Sequence, residues 1–310
     1  MLDLLIVICY NIWCLGDYCM NNRVKNEIYN LFRKAAVKAI TGNMGRVVEY
    51  DDKIICYVKK AKIQKNKYEY SIWCYGYEGS NMKLANIYHI NKPIYYVIDG
   101  LDFSDRLDVR ILGYKDANIC IKNCNFGYQT HIHSEAECLI ENSKFCSLSL
   151  SSSDTLIFDG IEAMSFEYFH LSAKKIKMNN SNIKCQNTAG LYVYGDLFLN
   201  NVNISSKRNV FIRASNNIIS NDSLIKANES IDIRYSSINE LDVVSPSIIC
   251  NENKVGSGKM HLTKEAIDLI DKRTQLVNVL NKIRLNCEGV CEEEIKKFYD
   301  RPLSKVLKIK

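Results

Sequence analysis

The stretch Ile176–Ile183, IKMNNSNI, returns about twenty residues later as Leu197–Ile204, LFLNNVNI. Both place apolar residues two apart, then a small polar residue, then a further apolar residue. Working outward, the small polar position reads Gly100, Asn123, Asn142, Gly160, Asn180, Asn201, Asp222 and, less well, Glu252. A fixed period of this length marks a solenoid, because one coil cannot bury its own apolar face and must stack on the next. The small polar column has a backbone reason: a sharp bend between strands wants a left-handed residue, which Gly adopts freely and Asn or Asp tolerate best.

Period-2 alternation assigns the faces. First strands begin near Val109, Thr130, Leu148, Phe169, Leu191, Val210 and Ile231. Second strands begin near Ile119, Cys138, Leu156, Ile176, Leu197 and Ile218, with Ile248 after a longer gap. Past the bend, Phe103, Phe126, Phe145, Ala163, Ile183, Ile204, Ile225 and Val255 make a third apolar column, so each coil has three sides. Leu241–Val244 competes with Ile248–Cys250 for the last second strand, which predicts an irregular final turn.

Segments such as ICIKNCNFG (119–127), LIENSKF (139–145) and the two above resemble the repeats of the right-handed parallel β-helix proteins of the pectate-lyase-like superfamily. The resemblance covers about half of the chain and is one of fold. It implies a mainly β protein, a right-handed parallel β-helix of seven or eight coils, with long polysaccharides along one face as the usual ligands of the class. Enzymes of that class work with clustered carboxylates, or with calcium and a basic residue.

The flanks lack the repeat. In residues 1–92, Val24, Ile28, Leu31, Phe32, Ala35 and Ala39 share one helical face, with Asn21 or Asn22 to cap the start and Gly42 to end it. The β-like runs 46–58 and 68–77 follow, separated by the lysine-rich loop 59–67. This predicts an N-terminal α+β capping unit before a β-helix over 93–256. In 257–310, Ile267, Ile270, Val277, Leu280 and Ile283 predict an amphipathic helix, with a second short helix at 292–299, both packing on the solenoid.

Composition bounds the function. The 310 residues carry 41 basic and 35 acidic side chains, a net charge of +6 that is small for a dedicated nucleic-acid binder. Nucleic acid is not expected as a partner, since basic segments such as 59–67 and the C-terminal tail are ordinarily solvated. The apolar run Leu4–Cys9 is too short to span a bilayer and lacks the flanks of a secretion signal, so no membrane association and a cytoplasmic location are expected. The 13 cysteines form no C-x-x-C pair and read as small buried hydrophobes in a reducing compartment. No metal and no cofactor is expected.

Three outward columns bear on function. On the first strands, His131, His133, His170, Tyr192, Tyr194, Arg213 and Arg234 form a stripe able to stack flat ligands and hold an anion, a possible glycan surface, although a solvated sheet would look the same. On the second strands, Glu141 and Asp159 fall on adjacent coils, close enough to serve as acid and base; Lys122 beside Glu141 offers an ion pair instead, the preferred reading. Beside them runs Cys120, Leu139, Ile157, Phe198, Ile219 and Ile249, interrupted by Lys177. This apolar ribbon predicts either cover by the helix around Ile267–Leu280 or a protein partner or oligomer contact through Leu139, Ile157, Phe198 and Ile219. The stripe lacks the paired acids that a glycosidase needs. The preferred reading is therefore a non-catalytic intracellular binding or scaffold protein. The alternative is a carbohydrate-active enzyme, a polysaccharide lyase or glycoside hydrolase, using an outer face.

Overall fold

The computed structural model describes residues 22–42, 45–58, 69–78, 80–165, 167–235, 237–238, 240–252, 259–262 and 272. The run Leu4–Cys9, the loop 59–67 and the helices expected around Ile267–Ile283 and 292–299 lie outside the described residues.

From Ile94 onward the chain winds as a parallel β-solenoid of about seven turns. One side is a sheet of nine strands, and a second sheet of seventeen strands takes in the other two sides. Neighbouring coils pair in register: Cys138 with Ile119 and Leu156, and Leu148 with Thr130 and Phe169. The bend column fits its expectation, with Asn123, Asn142, Asn180, Asn201 and Asp222 all at φ of 47–53°, and Gly100 and Gly160 at 65°. Side chains bridge coils along it: Asn123 Nδ2 donates to Asp99 Oδ1 (2.9 Å), Asn180 Nδ2 to Asp159 Oδ1 (3.0 Å) and Asn201 Nδ2 to Asn180 Oδ1 (3.0 Å). One residue further on, Ser143, Ser181 and Ser223 accept from the backbone N–H of the preceding coil at Cys124, Ile161 and Val202. Those inward N–H groups are thereby satisfied rather than orphaned.

The interior is three stacked apolar columns. Phe103, Phe126 and Phe145 stack along the third side with centroids 5.2 and 4.7 Å apart, and Ala163, Ile183, Ile204 and Ile225 continue the column, all buried. Each large apolar side chain so buried contributes roughly 1.5–3 kcal/mol.

The last turn corrects the sequence reading. Ile248–Glu252 pairs with Ser230–Tyr235 and so belongs to the nine-stranded sheet, not to the second side. Among the described residues the second strand of that coil is Ser237–Ile238, and Val243 of Glu240–Val244 takes the place assigned to Val255, which itself lies outside the described residues. Glu252 is therefore a strand residue and not a bend. A two-residue strand carries too little alternation to be read, and the next apolar run resembles one.

The sheets also run back into the first 92 residues. The strands are β1 (Gly45–Glu49), β2 (Ile54–Val58), β3 (Glu69–Tyr75) and β4 (Ile94–Asp99). β2 pairs parallel with β4, β3 pairs parallel with Asp108–Tyr114, and β1 pairs antiparallel with β2. Helix α1 (Asn22–Ile40) ends at Thr41 and Gly42, where φ is 70°. Among its described side chains Ala36, Val37 and Ile40 are buried and Ile28, Phe32 and Ala39 half-buried, whereas Leu31 is 67% exposed and Ala35 is exposed. The expected face is thus rotated. Docking against α2 (Ser80–Ile87) decides it, through the Tyr29–Tyr88 ring contact and the hydrogen bond from Asn81 to the Ile40 carbonyl. No helix among the described residues is long and apolar enough to cross a membrane.

Candidate functional site

The candidate face is the outer surface of the nine-stranded sheet. Strand pairing puts Arg110, His131, Ser149, His170, Gly190, Phe211, Asp232 and Ile249 in one column. The neighbouring column is Trp73, Leu112, His133, Ser151, Ser172, Tyr192, Arg213 and Arg234. Two positions differ from the sequence reading. Tyr192 stands in the second column, because the strand starts at Thr188 rather than Leu191. Tyr194 leaves the sheet altogether and sits at the corner, 70% exposed. The slip arose at Gly190, which has no side chain to declare its face.

Three of the expected residues form one cluster. The His170 and Tyr192 rings stack with centroids 4.7 Å apart and planes 15° apart, and the Arg213 guanidinium lies 5.5 Å from the Tyr192 ring centroid. This is a cation–π arrangement, worth about 0.5–1 kcal/mol where exposed. Partial burial pushes the His170 imidazole below its ordinary value, so it favours the neutral form. Arg234 lies across the ladder from Arg213 but is drawn to Asp232 at 3.5 Å. Asp232 itself is buried, and its Oδ1 has no hydrogen-bond partner. His133 contacts Ser151 Oγ through Nδ1 at 2.9 Å, and His131 stands in the other column. Among the described residues no three His, Cys, Asp or Glu side chains converge as metal ligands would.

Glu141 and Asp159 do stand on adjacent coils. Glu141, however, pairs with Lys122 at 2.5 Å, and that hydrogen bond raises the Lys122 ammonium above its usual range. Asp159 accepts from Asn180 in the bend ladder. Each carboxylate is engaged with a partner of its own.

In the apolar ribbon Cys120 is buried and Leu139, Ile157, Phe198 and Ile219 are half-buried, with the Lys175 ammonium 4.8 Å from the Phe198 ring centroid. Ile249 is not part of it, since it faces outward from the nine-stranded sheet, 48% exposed.

A second aromatic group went unread in the sequence. Trp73 and Tyr75 of β3 and Tyr114 of the next coil have centroids 6.0–6.4 Å apart and planes within 14–21° of each other. Its signal in the sequence is the alternation of Tyr70–Tyr75, which is as strict as that of any coil. No family model, curated protein or solved structure matches this chain.

Proposed function

We propose that this chain is a non-catalytic, intracellular binding or scaffold protein whose ligand surface is the outer face of the nine-stranded sheet. The solenoid is taken to be right-handed, as crossovers between parallel strands of one sheet almost always are. Residues 1–92 are taken as its N-terminal cap, which agrees with β1 closing the edge of β2 by antiparallel pairing. A helical C-terminal segment is inferred from sequence alone. The intracellular assignment is supported by Cys56, Cys74, Cys120, Cys124, Cys138, Cys146 and Cys185, which are free thiols and mostly buried.

The observation that carries the reading is the contrast between two sites. The His170–Tyr192–Arg213 cluster is assembled before any ligand arrives, whereas the two candidate catalytic carboxylates are each tied to another residue. Preassembled rings lower the ordering cost of binding. The test is incubation of the purified protein with a panel of polysaccharides, followed by assay of new reducing ends and unsaturated products. No product is expected. Product that disappears in both Glu141→Gln and Asp159→Asn would establish the carbohydrate-active enzyme instead.

A further inference from the structure

We propose that Trp73, Tyr75 and Tyr114 form a stacking platform for an uncharged glycan, and that the chain bound there reaches the His170–Tyr192–Arg213 cluster. The proposal rests on the reading of this face as a binding surface and names what it binds. Trp73 and Tyr75 point outward two residues apart on one strand, and Tyr114 lies opposite Tyr75 on the next coil. Trp73 is 44% and Tyr75 42% exposed, an unusual loss of burial for large rings on a sheet that has an interior to offer them. Their position is fixed from below. The Tyr96 hydroxyl crosses the core to donate to the Tyr75 carbonyl (2.7 Å) and accept from its N–H (3.2 Å), holding the strand end that carries the platform.

Four strand steps separate Tyr114 from Tyr192, about 19 Å at the spacing of paired strands. The intervening floor is low and hydroxylated: Ser149, Ser151 and Ser172, with His133 bonded to Ser151. Charge decides the class of ligand. The outward side chains of this sheet's strands include three arginines, Arg110, Arg213 and Arg234, and three acids, Glu69, Asp108 and Asp232, with no lysine. Arg110 is matched by Asp108 at 2.7 Å and Arg234 by Asp232 at 3.5 Å. A nucleic-acid strand would stack on the same rings but needs a surplus of cations along its track, and an acidic polysaccharide needs the same. A neutral sugar chain needs only rings for its C–H faces and small polar groups for its hydroxyls. This face offers both.

The experiment uses the full chain and follows Trp73 emission, the other tryptophan being Trp13. Cellohexaose, maltohexaose and laminarihexaose are titrated beside hexagalacturonate and a dT12 oligonucleotide. At least one neutral hexasaccharide is expected to change the emission, with the change absent in Trp73→Phe. By calorimetry, Trp73→Ala and Tyr192→Ala are each expected to weaken it at least about tenfold, the factor that ~1.4 kcal/mol represents. Binding of none of the three, or tighter binding of hexagalacturonate or dT12, overturns the proposal. Weakening by Trp73→Ala without weakening by Tyr192→Ala overturns the shared chain and leaves a local platform. Cleavage of a bound sugar would overturn the non-catalytic reading while leaving the platform standing, so the two failures are distinct.

Discussion

The Tyr192 ring lies on the His170 imidazole although the two residues are not partners across the ladder; His170 is opposite Gly190. Tyr192 reaches diagonally over the space that Gly190 leaves. A Cβ at position 190 would come within 2.8 Å of Tyr192 Cε2 and 3.6 Å of His170 Nδ1. The glycine is therefore part of the candidate site, through absence of a side chain rather than through backbone freedom.

Gly190→Ala is expected to push Tyr192 off His170 while leaving the coil folded. The measurement is the His170 titration by NMR. Partial burial holds the wild-type imidazole below its ordinary value, and losing the stack should move it up toward that value. For the wild-type stack the linkage runs one way: a depressed folded value means that the unfolded state binds more protons. The stability involved is present above the ordinary histidine value, about 6.5, and is lost as pH falls through the folded value. An unchanged titration in Gly190→Ala would show that the glycine does not set the stack.

Much of this fold was legible because the sequence repeats itself where the backbone needs it to. Asn123, Asn142, Gly160, Asn180 and Asn201 mark left-handed bends, and only a few residue types tolerate that conformation, so the column declares its own geometry. The register between those bends was legible wherever large residues alternate, as in Leu148/Leu150 or Val210/Ile212. It failed at Ala189–Gly190, where small residues hide the alternation, and at Ser237–Ile238, where the strand is too short to alternate. The candidate face was half legible. His170, Tyr192 and Arg213 are legible as outward residues, but their mutual contact depends on Gly190, and Trp73 lies before the first repeat, on a strand that pairs with the first coil.

Asn201→Val is expected to lower the melting temperature and to destabilise by about 1–3 kcal/mol. A β-branched residue is costly at the φ of 53° found there, and the substitution also removes the hydrogen bond to Asn180 Oδ1. Asn201→Gly separates the two contributions, since it accepts the backbone and loses only the bond. Equal melting of Asn201→Val and wild type would refute the bend assignment.

Thiol labelling of the native protein should be sharply selective. Burial pushes Cys56 and Cys120 up to about 11 and Cys185 up to about 12, and it raises Cys74 and Cys138 further. The thiolate is the reactive form, so at pH 8 these sites should resist iodoacetamide. Cys146, which is only half-buried, should react ahead of them. Mass spectrometry of a timed digest reads the order directly, and early modification of Cys138 would mean that the coil interior opens more readily than its packing allows.

Replacing Glu141 by Gln should change little. Lys122 is held above its usual range chiefly by its hydrogen bond to Glu141, so the variant should let the ammonium titrate lower. Yet the two side chains are 37% and 31% exposed, and exposed pairs are worth about 1 kcal/mol or less. Urea denaturation at low and high salt is the check. A loss well above 1 kcal/mol that salt does not erase would give Glu141 a larger role than a surface ion pair.

The N-terminal contact carries a pH dependence of its own. Glu49 receives both ends of the Arg33 guanidinium at 2.5 and 2.6 Å, and the Lys92 ammonium at 3.0 Å. Burial acts to raise the Glu49 carboxyl, but the hydrogen bonds from Arg33 and Lys92 outweigh it and leave the group below its ordinary value. A depressed carboxyl means that the unfolded chain binds the proton more readily. The stabilisation is thus complete above the unfolded value near 4.3 and is lost as pH falls through the lower, folded value. Glu49→Gln should remove roughly 1–3 kcal/mol at pH 7, because it leaves Arg33 short of its partner. It should also flatten the acid limb of the stability curve. Detachment of α1 can be followed by hydrogen exchange at Ala36, Val37 and Ile40, the buried residues of that helix. If those amides exchange at the same rate in Glu49→Gln and wild type at pH 7, the ion network does not hold the helix, and the apolar contact with α2 alone must do so.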